Sequence, residues 1–318
     1  MPDESDRSEN KEPQSQLAPD AGANSSSPAA PGQPAPWGRA DRIRLVTWAV
    51  IGFTVPLPLV LVLHFAGGRN SSSMSVRWEL PGKAIAAFFI VLATWVVSRM
   101  EKRPLRDYGV PLRRALGIRF WEGCIWGFAA LSAILLVLRA TGHFQIDSVA
   151  LRGSALLRYA LAWAAVFFAV GVNEEFTFRG YLLFVFSRRV RFWRAALLLS
   201  VLFGAAHLPN HGENALGILQ VVEFALLMCF TLRRTGTLWF AVGFHAAWDW
   251  AETFFYGTPD SGLLGTGRFL GTSFHGPSWL TGGSAGPEGS ILALFFLLLC
   301  ALLVHFRFPK AVYPDRPV

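Results

Sequence analysis

Beyond Arg42 the chain alternates long apolar stretches with short intervals that hold Gly, Ser or Arg. Stretches such as IVLATWVV (90–97) and ILALFFLLLCALLV (291–304) lack the polar position that a half-exposed helix needs every third or fourth residue and a half-exposed strand every second. Apolar segments near the roughly 20 residues that cross a bilayer read as transmembrane helices. The pattern predicts about eight, at 43–66, 82–99, 120–140, 157–187, 193–209, 214–232, 236–257 and 289–306, the fourth long enough to tilt or project. The expected fold class is all-α, a polytopic membrane protein. Residues 1–40, rich in Pro, Ser, Ala, Asp and Glu without apolar periodicity, read as a disordered tail ahead of a transmembrane domain at 41–310. The Gly- and Ser-rich intervals 67–75 and 258–289 read as loops. The second is too glycine-rich for a core, so disorder is expected there, with a lid as the alternative.

Composition agrees with this pattern. Hydrophobic residues make up 53% of the 318, charged residues 16%, and the mean hydropathy is +0.38. A net charge of +8 raises nucleic acid as a partner, but the basic residues sit at the ends of apolar segments, where they orient the chain and meet anionic lipid. The expected partner is the bilayer, and nucleic acid is excluded. Basic residues gather at 39–44, 99–119, 188–194, 233–234 and 307–316, and are sparse in the alternate intervals, so eight spans place both termini in the cytoplasm of a cell membrane. Cys124, Cys229 and Cys300 each lie in an apolar run without metal-ligand or disulfide spacing and read as packing residues. The Trp residues are expected mostly near helix ends, as an aromatic belt.

Within the fourth apolar segment stands VGVNEEFTFRGYLLF (171–185). At a rise of about 1.5 Å per residue, Glu174 and Glu175 lie about 20 Å, and Arg179 about 13 Å, from a surface at Arg188. His207 in FGAAHLPN lies about 20 Å from Arg194, while His245 and Asp249 in FHAAWDW lie about 16 and 22 Å from Arg234. Ionisable groups at such depth cost several kcal/mol unless they pair or face a wet cavity, and so mark function by default. Glu175 and Arg179 are four apart and can pair, as can His245 and Asp249. Taken singly, each has a structural reading: a loop start for the glutamates, a helix exit for His207, and a hydrogen-bonded pair for His245 and Asp249. Convergence at one depth favours an assembled site.

At these residues the sequence resembles the CPBP intramembrane proteases, which include type II CAAX prenyl endopeptidases and Abi proteins. EEFTFR (174–179) matches the family's E-E-x-x-x-R, FGAAH (203–207) its F-x-x-x-H, and HAAWD (245–249) its H-x-x-x-[ND], in that order and on the fourth, fifth and seventh helices. The resemblance covers about 155–257. Asp249 departs from the Asn typical of CAAX-processing members. The resemblance implies an intramembrane endopeptidase acting on membrane-anchored or lipidated proteins or peptides, with site residues Glu174, Glu175, Arg179, His207, His245 and Asp249.

Peptide hydrolysis needs an activated water, stabilisation of the oxyanion and a proton for the leaving amine. Glu174 is read as the general base and Glu175 as more structural. His207 and His245 either donate to the oxyanion or ligate zinc together with Asp249. The sequence lacks H-E-x-x-H and leaves zinc and a metal-free glutamate mechanism equally open. Two other readings stand beside the protease: a transporter relaying protons through Glu174 and Glu175, and a catalytically silent Abi-like immunity or scaffold protein. The first half of the chain carries no polar counterpart of NEEFTFR, which a transporter built from paired broken helices would show.

Overall fold

The structure is a computed structural model that describes residues 37–66, 73–210, 212 and 214–317. The expected tail at 1–40 falls almost entirely outside the described residues. The helices are α1 (Arg39–Ala66), α2 (Val76–Glu101), α3 (Ile118–Ala140), α4 (Gly153–Val190), α5 (Phe192–His207), α6 (Ala215–Thr235), α7 (Trp239–Trp250) and α8 (Ile291–Arg307). Every expected apolar segment coincides with one of them. Among the described residues, α1, α2, α3, α4 and α6 are long and apolar enough to cross a membrane, whereas α5 and α8 are shorter apolar helices. Large apolar side chains such as Leu61, Phe88, Ile125, Leu161 and Leu298 point outward, as they do when the surroundings are lipid.

Successive helices run in alternate directions. At one end the loop after α2 meets the C-terminal segment through Tyr313 Oη, which donates to the Asp107 carbonyl. The Val312 amide donates there to the Arg233 carbonyl, the Phe192 amide to the Asp315 carbonyl, and Arg189 pairs with Asp41. At the opposite end β1 (Ser73–Met74) pairs in parallel with β3 (Leu264–Gly265), and β2 (Phe144–Val149) pairs antiparallel with β4 (Leu270–Phe274). These small sheets are an addition to the all-α expectation. They arise because 258–289 is ordered, a correction to the disorder expected of it. Its glycines permit tight turns rather than prevent structure: Gly262, Gly267 and Gly276 all adopt positive φ, which glycine accepts without a steric cost.

Between helices in lipid the hydrophobic effect is absent and close approach of small residues replaces it. The α3–α7 contact shows this. A Cβ added at Gly123 or Gly127 of α3 would overlap the carbonyl oxygens of Phe240 and Phe244, and one at Gly243 of α7 would overlap the Phe120 carbonyl. α7 is thereby held backbone to backbone against α3, which fixes the position of His245 and Asp249. Trp48, Trp163, Trp239 and Trp248 are buried. Each indole N–H finds an acceptor, at Thr94, Thr266, Pro111 and Glu288 respectively, which is what permits their burial.

Candidate active site

The site begins with a break in α4. Regular α-helix runs from Gly153 to Glu175, a wide π turn occupies Phe176–Tyr181, and α-helix resumes at Leu182. Gly180 absorbs the irregularity with φ −86° and ψ −108°. Single π turns of this kind recur at functional sites because they re-aim the side chains around them. Here the turn follows directly on Glu174 and Glu175. Another π turn, Ala251–Tyr256, follows α7 just after His245 and Asp249.

The two glutamates have different surroundings. Glu175 is fully buried: its Oε1 accepts from His245 Nδ1 at 2.8 Å and lies 3.4 Å from Arg179 Nη1. Arg179 is itself buried and stacks 4.2 Å from the Phe203 ring centre, a cation–π contact that offsets part of its desolvation. Glu174 instead lines a cavity of about 520 Å³, its side chain 23% exposed. The cavity brings together Glu174, His207, His245 and Asp249 from α4, α5 and α7.

His245 is the hub of this arrangement. Its Nδ1 faces a carboxylate oxygen that can only accept, so Nδ1 carries hydrogen. Its Nε2 then faces Asp249 Oδ2 at 3.5 Å and Glu174 Oε2 at 3.8 Å. His207 is constrained by similar logic. Its Nδ1 lies 2.8 Å from the Phe203 carbonyl, which again can only accept, leaving Nε2 to the cavity. In a neutral ring that Nε2 is an acceptor, so His207 stabilises an oxyanion only when protonated.

The fit of zinc follows from the same geometry. The nitrogen and oxygen of His245 and Asp249, 3.5 Å apart, are close enough to share an ion. His207 does not join them in a group of three whose ligand atoms lie mutually within 4.8 Å; among the described residues Glu252, Asp260 and Glu288 form such a group. Among the described residues the three side chains expected to hold zinc do not form a ligand group of that size.

Several cavity residues escaped the sequence reading. Gln220 of α6 lies buried against the cavity with both amide atoms lacking protein partners. It is a lone polar residue in ILQVVEF, and attention to ionisable groups alone passes over it. Lys83 of α2 also lines the cavity. Asp260 and Glu288 come from the glycine-rich segment and complete one wall. Burial, with the charges of Asp249 and Glu288 nearby, pushes the Asp260 carboxyl well above the usual carboxylate range.

All six expected site residues lie within 154–251, and this segment matches the model of a family described as type II CAAX prenyl endopeptidase Rce1-like. This part of the chain is similar to that family. The Rce1-like segment runs from α4 through α7, while α1 to α3, α8 and the 258–289 segment lie outside it. An uncharacterized 24.3 kDa protein of Escherichia coli is also similar, 28% identical over 188 residues, which is 58% of this chain and 80% of that protein. No solved structure matches the chain.

Proposed function

We propose that the chain is an intramembrane endopeptidase in which Glu174 activates the attacking water. The observation that carries this reading is the division of labour between adjacent carboxylates. Glu175 is committed to His245 and Arg179, whereas Glu174 faces the cavity with its Oε2 3.8 Å from His245 Nε2. The family description, a prenyl endopeptidase, supports peptide bonds as the substrate class.

In this mechanism a water between Glu174 and the scissile carbonyl gives its proton to the Glu174 carboxylate as its oxygen bonds to the carbonyl carbon. The carbonyl electrons move onto oxygen. His245, its ring held by Glu175, presents a protonated Nε2 whose hydrogen stabilises that oxyanion. Collapse breaks the C–N bond, and the proton on Glu174 passes to the leaving amine, restoring the carboxylate. Asp249, 3.5 Å from the same Nε2, stabilises the imidazolium, a role Asn would fill only in part. The apolar residues Phe167, Phe178 and Phe224 in the cavity wall suit a membrane-anchored segment. The loops at the basic end are read as cytoplasmic, which puts both termini on that side.

The test is cleavage of membrane-anchored peptides, prenylated and unprenylated, by the purified protein in liposomes. Glu174→Gln keeps the shape and removes the base, so the rate should fall by about two to four orders of magnitude at unchanged yield of folded protein. Cleavage at the wild-type rate by Glu174→Gln would remove Glu174 from the mechanism.

A further inference from the structure

Beside the cavity, Glu252 of the π turn after α7 meets Asp260 and Glu288 of the 258–289 segment, each offering a carboxylate oxygen within 4.8 Å of the other two. Proximity of acids alone signifies little. What distinguishes this group is Glu252, which is fully buried and whose Oε1 and Oε2 both lack a hydrogen-bond partner. Among the described residues no Lys, Arg or His forms an ion pair with any of the three. The other two acids are held in place by donors: Thr253 Oγ1 to Asp260 at 2.8 Å, and Trp248 Nε1 and Ser261 Oγ to Glu288 at 3.1 and 2.9 Å. Donors thus hold Asp260 and Glu288, while the Glu252 carboxylate beside them accepts no hydrogen bond.

A buried carboxylate without a donor or a counter-charge is costly, and two more at this distance add repulsion. A divalent cation supplies both missing elements. Donors that are all carboxylate oxygen select a hard ion over the softer metals favoured by imidazole and thiolate. Oxygens spread up to 4.8 Å apart can surround a centre at about 2.3–2.6 Å, the range of Ca²⁺, more readily than at the about 2.0–2.1 Å that Mg²⁺ demands. We propose that Glu252, Asp260 and Glu288 form a calcium-binding site that fastens the 258–289 segment to the end of α7.

The backbone follows the same plan. Gly286 adopts φ +93°, and a Cβ there would overlap the Pro259 carbonyl and lie 3.2 Å from Glu252 Oε1, so the segment is drawn directly over the buried acid. Asp260 and Glu288 also line the cavity that holds Glu174, so an ion at this point stiffens one wall of it. Both lie outside the Rce1-like segment, which makes the site a property of this chain rather than of the match. It stands whether or not the chain is a peptidase.

The experiment uses full-length protein in detergent, stripped with chelator, titrated calorimetrically with CaCl₂ and by luminescence with TbCl₃, the terbium emission being excited through the neighbouring Trp248 indole. Wild type should bind one Ca²⁺ and show Trp-sensitised terbium emission that Ca²⁺ displaces. Asp260→Asn and Glu252→Gln should each weaken Ca²⁺ binding at least tenfold, while Glu174→Gln binds as wild type. Asp260 is only half-buried, so its variant folds even where Glu252→Gln does not. If the three acids instead share protons, wild type takes up no Ca²⁺, and that result, or wild-type affinity in Asp260→Asn, overturns the assignment.

Discussion

Replacing Arg179 with Ala tests the interior of the site apart from its chemistry. The guanidinium is 1% exposed, and its counter-charge is Glu175, fully buried, at 3.4 Å. Removing one partner of a buried pair leaves the other charge uncompensated, at a cost of about 3–5 kcal/mol. The His245 contact at 2.8 Å recovers part of that for Glu175, which places the expected loss toward the lower figure. The lost cation–π contact with Phe203 at 4.2 Å adds about 0.5–2 kcal/mol. The sum is about 3.5–5 kcal/mol. Reversible unfolding in mixed micelles, followed by tryptophan fluorescence, measures it directly. The double variant Glu175→Gln with Arg179→Met discriminates further: with both charges gone no buried ion remains, so it should be more stable than Arg179→Ala. An Arg179→Ala protein with the wild-type unfolding free energy, or a double variant at least as unstable as the single one, would refute the argument that these residues act as a buried pair.

Gly127→Ala should lower the yield of folded protein and reduce cleavage about tenfold or more, because the new methyl must displace the Phe244 backbone and with it His245; yield after detergent extraction and rate per folded molecule check the two effects separately. Asp249→Asn should remain active and resistant to chelators, since the amide can still hydrogen-bond beside His245 Nε2. Its complete inactivity together with loss of bound metal would favour zinc chemistry.

The fold was legible wherever the bilayer imposes one rule on every residue of a segment. Length and apolarity located the apolar helices among the described residues, five of them long enough to cross a membrane. Helix spacing placed Glu175 four residues before Arg179, and the pair forms. The hidden parts were those set by contacts between distant segments. Nothing in FHAAWDW says that His245 bonds Glu175 across two helices rather than Asp249 alone. The π turns are also invisible to a 3.6-residue period, because they are deviations from it. Most instructive is 258–289, where a high glycine content suggested disorder. Glycine lowers the cost of turning, and the segment's order comes from what it touches: β2, α7 and the buried Glu252.

Why two consecutive glutamates are present follows from helix geometry. Neighbours on an α-helix point about 100° apart, so one position can face a cavity while the next faces the protein interior, and neither can substitute for the other. Glu175 spends its charge on orientation: it fixes the hydrogen of His245 on Nδ1 and neutralises Arg179. That orientation aims His245 Nε2 back at Glu174 across 3.8 Å, so the interior glutamate shapes the environment of the exposed one through a third side chain on another helix. Arg179 follows Glu175 by four residues, the α-helical neighbour spacing, and lies inside the wide turn at Phe176–Tyr181 where it also meets the Phe203 ring of α5. One carboxylate is thus buried and paired while its neighbour stays open to the cavity.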